Sequence, residues 1–272
     1  MSADAPIGVF DSGIGGLTVV RAIHALLPHE STLYLGDTAR VPYGSKSPAT
    51  VRRYALEILA WLEERDVKAV VVACNTATAH ALEELRAVAR VPVIGVIEPG
   101  ARAAAAVSRG GAVGVIGTAG TILSGAYGRA LRRIQPELQV VEQACPLFVP
   151  LVEEGWFDHP ATRLVAEEYL EPLRRAGVDT VVLGCTHYPM LSELIGEVLG
   201  PGVTRIDSAR ETARELAQVL AALGLEAPSG TSVRHRWAAT DDVARFARVG
   251  TLFVGEALPE IELAQLGSER VT

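Results

Sequence analysis

Two segments of the chain repeat one pattern, a run of apolar, mostly β-branched residues that ends in a cysteine and a polar turn. The first is VKAVVVACNT at residues 67–76 and the second is VDTVVLGCTH at residues 178–187, so Cys74 and Cys185 lie 111 positions apart. A short apolar run without polar alternation is typical of a strand buried on both faces of a parallel sheet. The repeat therefore predicts two related α/β halves, each with a cysteine at the carboxyl end of a strand.

The rest of the chain alternates short Val-, Ile- and Leu-rich runs with longer Ala-, Leu-, Glu- and Arg-rich segments, the order typical of parallel α/β proteins. Strands are predicted at residues 7–10, 32–36, 69–73, 92–96, 112–117, 138–142, 180–184 and 203–206. Helices are predicted at residues 17–27, 48–65, 76–89, 100–108, 122–134, 161–176, 190–199 and 209–223. A further strand at 232–238 and a last helix near 241–248 are expected to complete the first half.

A second internal likeness, between IGVFDSG at residues 7–13 and VGVIGTA at residues 113–119, supports two similar halves. We predict two α/β domains with mainly parallel sheets, related by a pseudo-two-fold axis. Domain A comprises residues 1–97 plus 208–272 and domain B comprises residues 98–207. Because parallel α/β units bind ligands at the carboxyl ends of their strands, we expect the active site in the cleft between the domains.

Composition disfavours several classes of partner and cofactor. The net charge of −7 gives no basic surface for nucleic acid. The sequence shows neither a positively charged leader nor a long apolar segment, so we expect no membrane association. Three widely spaced cysteines are typical of reduced thiols, so we expect a cytoplasmic protein. Lysine occurs only at Lys46 and Lys68, which leaves pyridoxal phosphate few attachment points, and we expect no cofactor.

The three cysteines differ in their sequence surroundings. Cys145 lies between apolar residues and is interpreted as a core side chain, whereas Cys74 and Cys185 each precede a helix whose dipole favours a thiolate. No cysteine has an arginine six positions later, as cysteine phosphatases require, and no Cys-x-x-Cys motif occurs. A zinc site from Cys74, Cys185 and His187 lacks the short ligand spacing of structural sites, so no metal is predicted.

Two thiols on opposite sides of one crevice suit the removal of a proton from one face of a carbon and the delivery of a proton to the other face. One sulfur acts as base and the other as acid, and the roles exchange in the reverse direction. This chemistry is racemisation or epimerisation. It explains why the cysteine motif occurs twice.

Polar turns around the predicted cleft supply candidate substrate ligands. DSGIGGLT at residues 11–18 matches neither a dinucleotide fingerprint nor a P-loop and is interpreted as a cradle for a carboxylate, in which Asp11 either caps the turn or faces a substrate ammonium or a thiol. His187 can orient or deprotonate Cys185, whereas Glu153 has the sequence context of a solvated helix end. The remaining candidates are Ser12, Tyr43, Gly44, Thr118 and Thr121, of which the two threonines could equally cap the following helix.

Taken together, the motifs DSGIGG, VPYGSKS, ACNTATA and GCTHYP resemble the signature set of the glutamate racemases, within the cofactor-independent aspartate/glutamate racemase family. The resemblance runs from about residue 7 to residue 206. It implies interconversion of L- and D-glutamate without pyridoxal phosphate or metal, supply of D-glutamate for peptidoglycan, and a homodimer of two-domain subunits.

The resemblance also implies residue roles. Cys74 is expected to take the α-proton from D-glutamate and Cys185 from L-glutamate, with Asp11 and His187 assisting the thiols and Glu153 in a supporting role. The implied substrate-binding residues are Asp11, Ser12, Tyr43, Gly44, Asn75, Thr76, Thr118, Thr121, Thr186 and His187.

Three alternatives stay open at the level of sequence. The first is a racemase of the same family that acts on aspartate or another acidic substrate, although the histidine of GCTHYP favours glutamate. The second is a non-catalytic regulatory protein on the same scaffold, since some glutamate racemases inhibit DNA gyrase. The third is a cysteine hydrolase that uses Cys185 and His187 and leaves Cys74 without a role.

Overall fold

The computed structural model of the protein describes residues 2–267 and contains two parallel β-sheets covered by helices. The first sheet has the strand order β10-β9-β2-β1-β3-β4 and the second has the order β6-β5-β7-β8, with every neighbouring pair parallel. The strands are β1 (Ile7–Asp11), β2 (Thr32–Gly36), β3 (Ala69–Val72), β4 (Val93–Gly95), β5 (Ala112–Gly117), β6 (Val140–Ala144), β7 (Val178–Gly184), β8 (Thr204–Asp207), β9 (His235–Ala239) and β10 (Ile261–Leu263). The predicted fold class, two α/β units with parallel sheets, is confirmed.

Helices connect the strands and cover the sheets. They are α1 (Leu17–Leu26), α2 (Pro48–Glu63), α3 (Asn75–Val88), α4 (Ile97–Val107), α5 (Ala119–Leu123), α6 (Ala126–Ile134), α7 (Phe148–Glu153), α8 (Pro160–Arg175), α9 (Ser192–Leu199), α10 (Ser208–Leu223) and α11 (Val243–Val254). Short 3-10 turns lie at Thr38–Arg40, Tyr43–Ser45 and Tyr188–Leu191. Among residues 2–267, no helix has both the length and the apolar character needed to cross a bilayer.

The two sheets are joined by two crossings of the chain, between β4 and β5 and between β8 and β9. Helix α4 lies within the first crossing and α10 within the second, and α10 packs against α4 and also against α1 of the first half. Because β9 and β10 pair beside β2, we propose that residues 208–267 complete domain A with residues 2–97, leaving 98–207 as domain B. Residue 1 and residues 268–272 of the predicted domain A lie outside the described residues.

Several sequence predictions need correction at the level of elements. The single helix predicted at 122–134 is wrong, because Gly125 adopts a left-handed backbone (φ 62°) that separates α5 from α6. The strand predicted at 138–142 lies two residues later, at Val140–Ala144, and the helix predicted from residue 100 begins at Ile97. The short elements α7 and β10 were not predicted at all.

Candidate active site

A small cavity lies where the carboxyl ends of strands of both sheets meet. Its volume is about 30 Å³. The cavity is lined by Asp11, Ser12, Val41, Pro42, Tyr43, Gly44, Cys74, Asn75, Thr76, Thr118, Val149, Cys185, Thr186 and His187. Eleven of these residues are candidates from the sequence, and the other two candidates, Thr121 and Glu153, lie directly behind the lining. The cavity therefore collects polar groups from both halves around two thiols.

Cys74 leaves β3 and caps the N-terminus of α3, where its Sγ accepts a hydrogen bond from the Ala77 N–H at 3.4 Å. Burial, and next the negative charge of Asp11, raises the pKa of the Cys74 thiol, and the Ala77 N–H offsets only part of this effect. Cys74 is therefore set up as a proton donor when Asp11 is ionised.

Asp11 ends β1 beside this thiol and is 1% exposed. Its Oδ2 accepts a hydrogen bond from the Gly16 N–H at 2.9 Å, while Oδ1 has no hydrogen-bond partner within the described chain. Burial raises the pKa of Asp11, and the charge of His187 opposes this rise. A carboxyl group in this setting can both accept a hydrogen bond from a ligand and exchange a proton.

Cys185 lies at one end of a row of side-chain contacts that is separate from the contacts of Cys74. Its Sγ lies 3.9 Å from Nδ1 of His187, and Nε2 of His187 lies 3.1 Å from Oε1 of Glu153. The other carboxylate oxygen of Glu153, Oε2, accepts a hydrogen bond from Arg245 Nη2 at 3.1 Å. Four side chains thus run from the cavity to the surface.

The charges along this chain support one another. Burial alone would lower the pKa of His187, but hydrogen bonds to Cys185 and Glu153 and their negative charges raise it to about 10. Burial likewise acts to raise the pKa of Glu153, and its contacts with His187 and Arg245 overcome this and lower it. This raised pKa favours the imidazolium form of His187 beside the Cys185 sulfur. The solvated helix end expected for Glu153 is wrong, because its side chain is only 15% exposed.

Three threonine hydroxyls join the two halves at the cavity. Thr76 Oγ1 lies 2.8 Å from Thr118 Oγ1 and 3.1 Å from Thr121 Oγ1, and the last two are 3.0 Å apart. Thr118 also accepts a hydrogen bond from the Thr121 N–H at 3.2 Å and so caps α5. Thr118 therefore lines the cavity and caps the helix at once.

Asn75 and Tyr43 are held by buried partners. Asn75 Oδ1 accepts a hydrogen bond from the Tyr127 hydroxyl at 2.7 Å, which leaves its buried Nδ2 without a partner in the described residues. The Tyr43 hydroxyl donates to the fully buried Asp37, which also accepts a hydrogen bond from Arg40 Nε at 2.7 Å. Both side chains have their orientations fixed before any ligand binds.

The glycine-rich turn after β1 brings the backbone close to the second half. A Cβ atom added at Gly15 would lie 2.3 Å from Thr186 Oγ1 and 2.4 Å from His187 Nδ1. One added at Gly16 would lie 2.6 Å from the Cβ of Asp11. Glycine is therefore required at both positions by the close approach of neighbouring atoms.

The sequence did not point to all of the cavity residues. Val41 and Pro42 stand beside Tyr43 in a motif that was recognised, whereas Val149 comes from the unpredicted helix α7. The remaining cysteine, Cys145, is fully buried in the larger hydrophobic core, away from the cavity lining. In the part of the chain that the structure describes, no three His, Cys, Asp or Glu side chains are grouped to hold a metal ion.

Comparison with known proteins gives concordant matches over nearly the whole chain. A family model described as Asp/Glu/Hydantoin racemase matches residues 8–216. A glutamate racemase of Geobacter metallireducens is 56% identical over 264 residues, which cover 97% of this chain and 98% of that protein.

Solved structures agree. A glutamate racemase isoform from Bacillus anthracis superposes with a TM-score of 0.92 at 41% identity, covering 96% of this chain and 97% of that one. The glutamate racemase of Francisella tularensis in complex with D-glutamate has a TM-score of 0.91 at 36% identity, covering 97% and 98% of the two chains.

Proposed function

The chain belongs to the Asp/Glu/Hydantoin racemase family, and we propose that it is a glutamate racemase that interconverts L- and D-glutamate with two cysteines. The observation that carries the proposal is that Cys74 and Cys185, from opposite halves, line one cavity. A hydrolase based on Cys185 and His187 would give Cys74 no role. Racemisation uses both thiols.

In the direction from L- to D-glutamate, the Cys185 thiolate takes the α-proton, so that the C–H bond breaks and an S–H bond forms. The Cys74 thiol then delivers its proton to the opposite face of the carbon and becomes a thiolate. This order fits the surroundings of the sulfurs, because His187 next to Cys185 is cationic and burial beside Asp11 keeps Cys74 protonated. The reverse reaction starts from the Cys74 thiolate, with Asp11 placed to take its proton. No cofactor is needed for these steps.

The substrate's polar groups can be matched to unpartnered atoms of the site. Asn75 Nδ2 and the threonine hydroxyls offer hydrogen bonds to a carboxylate, and Asp11 Oδ1 offers an acceptor to the ammonium group. Negative charge that develops on the α-carboxylate as the proton leaves is stabilised by such fixed donors, more strongly when water is excluded. Ser12, Tyr43, Gly44, Thr186 and His187 complete the proposed contacts.

The cavity has room for about one water molecule, whereas pockets for small ligands usually measure about 300–1,000 Å³. We infer that the structure represents a closed state and that the two halves separate to admit glutamate. Closure around the substrate then excludes water from the thiols.

The location, the cellular role and the oligomeric state are proposed from membership of the family. We propose that the protein acts in the cytoplasm, supplies D-glutamate for peptidoglycan and forms a homodimer. We propose glutamate as the substrate over aspartate because nearly full-length relatives at 56% and 50% identity, and a solved structure at 41% identity, are named glutamate racemases.

The proposal is tested with chelator-treated protein and no added cofactor, by following racemisation of L-glutamate, D-glutamate and L-aspartate. We expect both glutamate enantiomers to be converted and aspartate to react much more slowly. Cys74→Ala and Cys185→Ala should each lower kcat by about 10²–10⁴-fold, the range that a positioned acid or base contributes, because both are needed in every turnover. Near wild-type turnover in either variant would refute the two-cysteine mechanism.

A further inference from the structure

The catalytic end of the second half is covered by a helix that belongs to the C-terminal segment. Helix α11 packs on α1 of the first half, whereas Glu153 and His187 belong to the segment that forms the second sheet. Two side chains of α11 reach this pair. Arg245 binds Glu153, and the ring of Phe253 packs edge-on against the His187 ring with centroids 5.3 Å apart.

We propose that Arg245 is a positioning residue for the racemisation reaction, which holds the Glu153 carboxylate against His187 and so sets the imidazole beside Cys185. The inference rests on the proposed function. Glu153 has two carboxylate oxygens, and each has one partner: Oε1 faces His187 Nε2 and Oε2 faces Arg245 Nη2, both at 3.1 Å. Fixing the second oxygen removes the freedom of the carboxylate to rotate away from the imidazole.

The first turn of α11 positions the guanidinium of Arg245 near Glu153. Asp242 caps the helix by accepting a hydrogen bond from the Arg245 N–H at 2.9 Å, so the backbone of Arg245 lies in the ordered first turn. Its side chain is 47% exposed while that of Glu153 is 15% exposed. An exposed ion pair of this kind contributes little to folding, so the expected effect is on the orientation of Glu153 more than on stability.

The contact also joins the two halves in the closed state. Arg245 lies on α11, which packs on α1 of the first half, and Glu153 lies in the second half, so separation of the halves would part the two side chains. The pair forms when the cavity closes and completes the charge chain to Cys185 at that moment. Arg245 therefore couples closure to the orientation of the imidazole.

The test compares Arg245→Gln with Arg248→Gln, which removes a charge from the same helix at an exposed residue without an ion pair among residues 2–267. Arg245→Gln should lower kcat about three- to tenfold, whereas Arg248→Gln should leave it unchanged. The value of kcat/KM must fall equally in both directions, because the equilibrium constant between enantiomers is unity. Arg245→Lys should recover part of the loss.

A second measurement detects the contact between Arg245 and Glu153 without an activity assay. The groups that face Glu153 are His187 and Arg245, and His187 in turn faces Cys185 and Asp11. Loss of the Arg245 charge should raise the pH at which the Glu153 carboxyl titrates in ¹³C NMR, and should move the acidic limb of the kcat/KM profile in the same direction. Arg248→Gln should change neither.

An unchanged Glu153 titration in Arg245→Gln, or kinetics equal to those of Arg248→Gln, would overturn the inference. Absence of racemisation in the wild-type protein would instead refute the proposed function. In that case the carboxyl titration would still decide whether Arg245 acts on Glu153.

Discussion

At the scale of single residues, Cys74 and Cys185 occupy equivalent positions in the two repeats but have neighbours of opposite charge. Cys74 lies with Asp11, and burial together with this carboxylate raises its pKa. Cys185 lies 3.9 Å from a histidine whose pKa is raised to about 10. The repeat therefore supplies two sulfurs at similar places, and their unlike neighbours fit the proposed division into an acid and a base.

Gly15 gives a test at the same scale. Alanine at this position would place its Cβ 2.3 Å from Thr186 Oγ1, so Thr186 and His187 must move. Overpacking of this kind costs about 1–3 kcal/mol, and a shift of about 1 Å in a catalytic group can cost about 10²-fold in rate. We expect Gly15→Ala to lower kcat at least tenfold with a modest loss of thermal stability.

The matched control is Gly202→Ala, where the added Cβ has no atom within 4 Å and the backbone is not left-handed. The two variants are compared by steady-state kinetics and by thermal melting. Wild-type kcat in Gly15→Ala would contradict the described fit of the turn against the second half.

Several of the site residues predicted from the sequence end a strand or directly follow one within a recognisable motif. Asp11, Cys74 and Cys185 are of this type, because the carboxyl end of a parallel strand points its next residues at the ligand. Asp37 and Arg245 could not be found in this way. Asp37 contacts Tyr43 and Arg245 contacts Glu153, and only the folded structure shows which carboxylate meets which partner.

At the scale of elements, the predictions failed where the helix or strand is short. Helix α7 has six residues and includes Pro150, and β10 has three, so neither contains enough residues to show a period. The long buried strands, such as β5 and β7, were found because a continuous apolar run is a strong signal. Helix α7 matters here because it brings Val149 to the cavity and Glu153 to His187.

The contact between α7 and His187 predicts a pH dependence of stability. The pKa of His187 is about 6.5 in an unfolded chain and about 10 in the fold, because Glu153 and Cys185 favour the imidazolium. A raised folded pKa stabilises the protein fully below about pH 6.5, and this contribution is lost as pH rises towards 10.

Denaturant unfolding of the wild type and of His187→Gln at intervals from pH 6 to pH 10 measures this contribution. The stability difference between the two proteins should decrease steadily as pH rises, since glutamine does not titrate. A difference that stays constant over this interval would show that His187 is not held as a cation.

At the scale of the whole molecule, the two halves meet with almost no free space around the thiols. The hydroxyl of Thr76 on α3 lies 2.8 Å from that of Thr118, which caps α5, so the halves are in direct contact beside the cavity. A cavity of about 30 Å³ requires opening before glutamate can enter. The sequence indicated two halves and a cleft between them. The width of the cleft depends on how the surfaces of the two halves fit together, which only the folded structure shows.

Hydrogen exchange tests this opening. Backbone amides in the turn Tyr43–Ser45 and in α5, which face each other across the cavity, should exchange more slowly with saturating glutamate than without it. Amides of the central strands β1 and β7 should show little change, because they lie inside each half. Equal protection of the turn and α5 in both states would argue against opening by separation of the halves.

The central claim is that two cysteines act on opposite faces of one carbon, and the most direct measurement is racemisation of L-glutamate in deuterated water, stopped early. The product and the remaining substrate are separated and their α-deuterium is measured. The two-base account predicts D-glutamate that is almost fully deuterated at the α-carbon and residual L-glutamate that is almost free of deuterium. D-glutamate that retains the substrate's own α-proton would contradict the account, because it would show that a single base serves both faces.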